Sequence, residues 1–440
     1  MKIKDLTSGK ELSVITLLSL PLIGSSLLQF LYNFIDMLFV GGLGPDAIAS
    51  VGSASFFINL GYAIQAMIVV GGGIKIAHSM GSKESNESIS YIGNALLLNF
   101  FIGLITIVGL IFFGNQLLDF LNLNNETVQT SAYQYLSVSA FMLLFSYFNT
   151  FFIRMFSSFG NNKQSFYISA FGLVLNIILD PIFIYTFKWG VIGAAFATLI
   201  AQILMFVSFV YLARNVLFQK NIIQIGLQKS ADIMKLGMPM SIQRVLFTVI
   251  NIILAKLIAS YGTDAVAAQK IGLQIESVTF IVMGSLNGAV SSFIGQNFGA
   301  KKYSRILKGY RVSLILGIVY ALLTSIIFIF LSEELARLFT RDSETVAITS
   351  SYLQIIGLSQ IFMSIEMIGT GVFTGIGMPK IPSAISIVFT FMRIPLALML
   401  TPIFGLNGIW WSIALSSLIK GLLSIIIFNT VYGRKYKHEM

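Results

Sequence analysis

Between Lys163 and Lys188 the chain reads QSFYISAFGLVLNIILDPIFIYTF, residues 164–187. The run is long enough to cross a bilayer, whose hydrocarbon core of about 30 Å takes about 20 residues of helix. Yet it holds Asn176 and Asp180 one helical turn apart, with Pro181 next. An ionised carboxylate is among the costliest guests for hydrocarbon, and proline removes a backbone donor. A span that keeps both is expected to use them.

The rest of the chain is of the same kind. Of its 440 residues, 56% are hydrophobic and only 10% are charged, too few charges to cover a soluble protein of this size. Twelve apolar segments stand out, at 12–40, 46–74, 90–113, 128–153, 165–187, 190–213, 236–261, 265–295, 312–331, 346–371, 382–402 and 408–430. The chain therefore reads as an all-α integral membrane protein with twelve transmembrane helices. The charged N-terminus MKIKDLTSGKE leads into an apolar run too long for a signal peptide and is read as the first span.

A net charge of +10 raises the question of nucleic acid, and the charge map answers it. With the N-terminus inside, cytoplasmic segments hold 20 of the 28 Lys and Arg residues, outside loops hold Lys188, Arg337 and Arg341, and five lie within spans. That bias is the positive-inside signature, so both termini are expected in the cytoplasm and no nucleic-acid partner is. The basic runs 301–311 and 433–439 read as solvated cytoplasmic faces. The chain has no cysteine, its two histidines (His78 and His438) are far apart, and no GxxxxGK[ST] loop occurs. Disulfides, thiolate metal sites and ATP drive within the chain are not expected.

The two halves repeat each other. GPDAIAS (44–50) matches GTDAVAA (262–268), SLPLIGS (19–25) matches GMPMSIQ (237–243), and MGSK (80–83) matches FGAK (298–301), all at a shift of 218. NNETV (124–128) matches DSETV (342–346), and FGNNK (159–163) matches IGMPK (376–380) at 217. Six spans per half return the chain to its starting side. The expected plan is two parallel six-helix bundles related by a pseudo-two-fold axis along the membrane normal, residues 1–213 and 236–440, joined by a polar, basic cytoplasmic link at 214–235.

These matched pieces carry a resemblance. SLPLIGSSLLQFLYNFIDMLFVGGLG (19–44), IESVTF…GQNFGAKK (275–302) and the paired FGNNK/IGMPK turns resemble the multidrug and toxic compound extrusion (MATE) transporters, nearly over the full length. The resemblance implies two six-helix bundles, a central cleft, and antiport of cationic or amphiphilic compounds against H⁺ or Na⁺. It also implies a monomer in a prokaryotic inner membrane, with lipid and small drugs as partners and no cofactor besides the coupling ion. One branch of the family carries an acid on helix 1, an Asn-x-x-x-Asp pair on helix 5 and a threonine on helix 6. On this sequence those fall at Asp36, Asn176, Asp180 and Thr198. Span 7 has no acid, which places the expected coupling site in the N-terminal half.

The residues agree with that placement. At 1.5 Å per residue, Asp36, Asp180 and Thr198 all lie about 9–12 Å below the outer end of their spans. Asn176 is one turn further in, on the face of Asp180. Aligned on the repeat, Asp36 corresponds to Leu254, Asn176 to Arg393, Asp180 to Ala397 and Thr198 to Ile413. A scaffold requirement would recur in both halves, so these residues are assigned to cation binding. Their oxygens suit a shared proton or a small hard cation such as Na⁺, and sequence does not separate the two. Gln29, Tyr32 and Asn33 on span 1 and Glu276 at mid-span 8 are candidate substrate contacts. Glu276 could instead pair with a basic residue such as Arg244, Lys270 or Arg393; Arg393 near mid-span needs a partner that the sequence does not identify, and Glu366 sits near the cytoplasmic end of span 10. Two functions remain open: a secondary drug exporter, and a flippase for lipid-linked oligosaccharide or a related lipid.

Overall fold

A computed structural model of the chain describes residues 4–121, 125–219, 222, 224 and 226–436. Asn124 of the NNETV piece, residues 220, 221, 223 and 225 of the expected link, and the end of the basic tail with His438 lie outside the described residues. Regular structure among the described residues is helical throughout. The first half runs α1 (Glu11–Gly41), α2 (Pro45–Gly81), α3 (Ser85–Asp119), α4 (Glu126–Ser158), α5 (Asn162–Pro181), a π-helical turn (Ile182–Thr186) and α6 (Gly190–Leu217). The second runs α7 (Leu227–Ala259), α8 (Thr263–Gly299), α9 (Tyr303–Phe330), the short α10 (Ser332–Arg337), α11 (Ser343–Gly375), α12 (Lys380–Phe391), α13 (Arg393–Phe404) and α14 (Asn407–Tyr436). Twelve helices are long and apolar enough to cross a membrane, one for each apolar segment of the sequence. α12 and α13 together make one span, broken at Met392. α2 and α8, at 37 residues each, are longer than any bilayer core requires, so their ends must project beyond it.

The repeat reappears as backbone geometry. Gly44 and Gly262, the first residues of the two GxDA pieces, have φ of 109° and 107°. Lys83 and Lys301, the last residues of MGSK and FGAK, have φ of 63° and 56°. A non-glycine residue in that region is disfavoured by roughly 1–2 kcal/mol, so its occurrence at both copies marks a turn that the surrounding contacts impose. Those contacts match: Glu84 N donates to Ser79 O at 2.9 Å, and Lys302 N to Asn297 O at 2.9 Å. Gly160 and Gly377 continue the series at φ of 72° and 79°.

The chain divides into two compact units. One is Leu20–Ser241 with residues 4 and 5; the other is Leu6–Ser19 with the described chain from Ile242 onward. The division passes through α1 next to Pro21 and through α7 near Pro239. In the first unit, the start of α7 lies directly on α2. A Cβ on Gly237 would meet the Met67 carbonyl oxygen at 1.7 Å, and one on Gly71 would meet that of Ile233 at 1.9 Å. Only glycine permits backbones this close. Lys75 and Asp232 pair beside this crossing at 3.0 Å, and the Asn94 side chain holds Gly226 N, Ser230 Oγ and Gln224 O. In the second unit, the segment before α1 is held the same way. Leu6 N donates to Gln296 Oε1, Lys302 to Thr7, and Arg305 to the Ser8 and Gly9 carbonyls and the Glu11 carboxylate.

Candidate functional site

The candidate residues gather where α1, α5 and α6 of the first unit meet. α5 stops at Pro181, whose ring nitrogen cannot continue the hydrogen-bond ladder. The chain then widens into a π-helical turn, closed by Phe187 N to Ile182 O at 2.9 Å. Single π turns recur at functional positions because they rotate the flanking side chains. Two contacts fix this one. Tyr185 Oη donates to the Phe39 carbonyl at 2.6 Å, tying α5 to the end of α1 just past Asp36. Gly193 brings α6 onto the turn, since a Cβ there would lie 2.7 Å from the Phe183 carbonyl. α6 then presents Thr198.

Asn176 and Asp180 are fully buried, Thr198 and Tyr32 nearly so, and Asp36 is half-buried. Asn176 Nδ2 donates to Asp180 Oδ1 at 3.0 Å. Asp36 and Asp180 interact electrostatically with each other, and Tyr32 with both carboxyls and with the Thr198 hydroxyl. Five side-chain oxygens here are buried with no hydrogen-bond partner among the described residues: Tyr32 Oη, Asp36 Oδ1, Asn176 Oδ1, Asp180 Oδ2 and Thr198 Oγ1. A buried polar atom left unpaired costs about 1–3 kcal/mol. Five together in one place are oxygens of the kind that could hold a proton or a small hard cation, and no basic side chain among the described residues is ion-paired with either carboxyl.

Two further residues belong to this cluster. Tyr135 on α4 is buried and in electrostatic reach of Asp36 and Asp180, and Ser139, one turn on, has a buried, unpartnered hydroxyl. The sequence analysis does not single them out, since aromatic and serine side chains in a span read as packing; the polar spacing of QTSAYQYLSVSA is the signal that points to them. Gln29 and Asn33 do not join the cluster. They are exposed on α1 and bond to each other at 3.4 Å.

In the second unit the corresponding positions are filled differently. Leu254 and Ala397 are buried in an apolar cluster with Ile250, Tyr352 and Trp410, and Ile413 packs against it. Glu276 accepts from Tyr352 Oη at 2.7 Å and is in electrostatic reach of Arg393. Arg393 donates from Nε to Ser416 at 3.2 Å and lies 5.9 Å from the Phe247 ring. Glu366 pairs with Lys420 at 2.9 Å, both largely buried.

Comparison with known proteins follows the same division. The MatE family profile matches the chain twice, over residues 21–182 and 239–399. The chain belongs to the MatE family. Members of this family are membrane transporters rather than enzymes. This MatE chain is 25% identical to the probable multidrug resistance protein NorM of Thermotoga maritima, covering 93% of the chain and 90% of NorM. It is 26% identical to the multidrug export protein MepA of Staphylococcus saprophyticus, with 94% and 93% covered. A solved structure of a multidrug resistance MATE family transporter of the MOP superfamily, in an outward-facing conformation, superposes with a TM-score of 0.90 at 22% identity over 99% of both chains. The twelve-helix fold of this MatE protein is thus that of MATE transporters.

Proposed function

We propose that this chain is a secondary active multidrug exporter that antiports cationic or amphiphilic compounds against H⁺ or Na⁺. Asp36, Asn176, Asp180 and Thr198 form the coupling-cation site in the 1–213 bundle. The observation that carries this reading is the group of unpaired buried oxygens between two carboxyls that have no basic partner. Two carboxylates buried side by side cannot both hold their charge without a cation. A proton shared between them, or a Na⁺ held by them with the Asn176 carbonyl and the Thr198 hydroxyl, removes that conflict. Entry of one such charge down a membrane potential supplies about 2.3 kcal/mol per 100 mV, which is available to drive the export step. Gln29, Tyr32 and Asn33 in the first unit and, taken separately, Glu276 in the second are proposed as substrate contacts. The two relatives named as multidrug proteins support the substrate class.

The topology proposed with this function has both termini and the 214–235 link in the cytoplasm, and the chain a monomer in a bacterial inner membrane. The bias of Lys and Arg along the sequence supports the orientation. The test is efflux of ethidium from vesicles holding the purified protein, under a pH gradient and a Na⁺ gradient applied separately. Efflux should follow one of them and be lost in Asp180→Asn. Efflux indifferent to both gradients would overturn coupled antiport.

A further inference from the structure

On the outer face of the first unit, α5 and α6 leave a groove of about 480 Å³, lined by Gln164, Tyr167, Ile168, Val207, Ser208 and Tyr211. Its edges are aromatic and exposed: Tyr167 is 57% exposed and Tyr211 65%. Each carries a cation. Lys163 Nζ lies 5.8 Å from the Tyr167 ring centre, and the Arg214 guanidinium lies 4.4 Å from that of Tyr211. α5 leaves the Lys163 end while α6 returns to the Arg214 end, so both cations stand at the same mouth of the groove. Ile168 and Val207 continue its floor toward the middle of the spans. Gln164 sits at the mouth with its amide oxygen engaged by Asn161 Nδ2 at 2.7 Å, which leaves its NH₂ group as a donor. No acidic residue lines the groove.

We propose that this groove seats an anionic phospholipid, its phosphate between Lys163 and Arg214 and one acyl chain along Ile168 and Val207. The polarity gradient matches that of a lipid: two cations at the mouth, tyrosines at headgroup depth, hydrocarbon beyond. Tyrosine is enriched at that depth because its ring is apolar and its hydroxyl is wet. Snorkelling toward water explains a lone lysine or arginine. It does not explain two that converge from different helices on one acid-free groove. Nor is the pair demanded by the fold. At the repeat positions of the second half, Lys380 is retained, but Tyr167 becomes Ala384, Tyr211 becomes Ile426 and Arg214 becomes Asn429. Under the orientation proposed above, the mouth lies at the cytoplasmic leaflet, where anionic lipids attract basic side chains.

The test uses the full-length protein, delipidated in detergent and re-supplied with equal phosphatidylglycerol and phosphatidylethanolamine. Retained lipid is counted by native mass spectrometry. Phosphatidylglycerol should be retained over phosphatidylethanolamine by about fivefold or more, the worth of one basic residue near a charged surface, and K163Q/R214Q should abolish the preference. Val207→Trp keeps both cations but fills the floor at an exposed position, and should reduce retained lipid of either kind by half or more. It decides the question if the double variant does not fold. Equal retention by the unaltered protein, or a preference unchanged in K163Q/R214Q, overturns the proposal. So does displacement of the lipid by millimolar inorganic phosphate alone, which would mark a free-anion site. The readout is lipid mass, so its outcome is separate from that of the efflux assay.

Discussion

At matched positions the two units put opposite chemistry into the same scaffold. The turns are the same, down to left-handed lysines at Lys83 and Lys301. The interiors are not. In the first unit Asp36 and Asp180 interact with no base ion-paired to either among the described residues, and oxygens of Tyr32, Asn176 and Thr198 stand unpaired around them. In the second, two acids are offset by two bases, with Glu276 facing Tyr352 and Arg393 and Glu366 paired to Lys420. The positions that match Asp36 and Asp180 there are Leu254 and Ala397, inside a hydrocarbon core. A balanced set of charges holds its own structure together. An unbalanced set has to recruit a charge from outside. That difference supports the proposed placing of coupling in the first unit, with a structural or substrate-facing role proposed for the polar residues of the second.

The largest effect should come from removing the imbalance. Asp180→Asn and Asp36→Asn are each expected to lower gradient-driven efflux of ethidium by tenfold or more, while the melting temperature of the purified protein stays the same or rises. A fall in efflux matched by a fall in melting temperature would mean these carboxyls serve the fold.

The second unit should respond the other way. Lys420→Met leaves Glu366 buried without its partner, a change that typically costs about 3–5 kcal/mol, so a clear drop in melting temperature is expected. K420M/E366L should restore most of it. If K420M melts like the unaltered protein, the pair is not a structural element and the contrast between units fails.

Leu254→Asp copies Asp36 into the second unit without its surroundings. Burying a carboxyl there with no partner should destabilise by about 2 kcal/mol or more, read as reduced yield of folded protein and a lower melting temperature, with no new ion dependence of transport.

The smallest effect separates Na⁺ from H⁺. Thr198→Val keeps the shape and removes one oxygen. If Na⁺ is the ion, the Na⁺ concentration for half-maximal efflux should rise severalfold, since one such ligand is worth about 1 kcal/mol. If H⁺ is the ion, the response to a pH gradient should change little. Ile413→Val, its counterpart, should change neither.

Much of this was legible in one dimension. Hydropathy summed over twenty residues gave twelve spans, because hydrocarbon solvates a whole segment regardless of which way each side chain points. The repeat gave the turns: matched pieces such as MGSK and FGAK reappear with matched backbone angles. Depth also followed from counting, so Asp36, Asp180 and Thr198 share a level because a helix rises by a fixed amount per residue. Rotation did not follow. Which side chains of two helices face each other is set by packing against all their neighbours, and Gly193 of α6 against the π turn or Gly237 of α7 against α2 fix it through backbone contacts that composition does not carry. So sequence does not single out Tyr135 and Ser139, nor that Gln29 and Asn33 are exposed and apart from the carboxyls, and the pairing of Glu366 with Lys420 emerges only in three dimensions. The sequence alone determined that an acid stands at this depth in spans one and five. Only the tertiary structure decided that the two meet, and that the oxygens around them are left without partners.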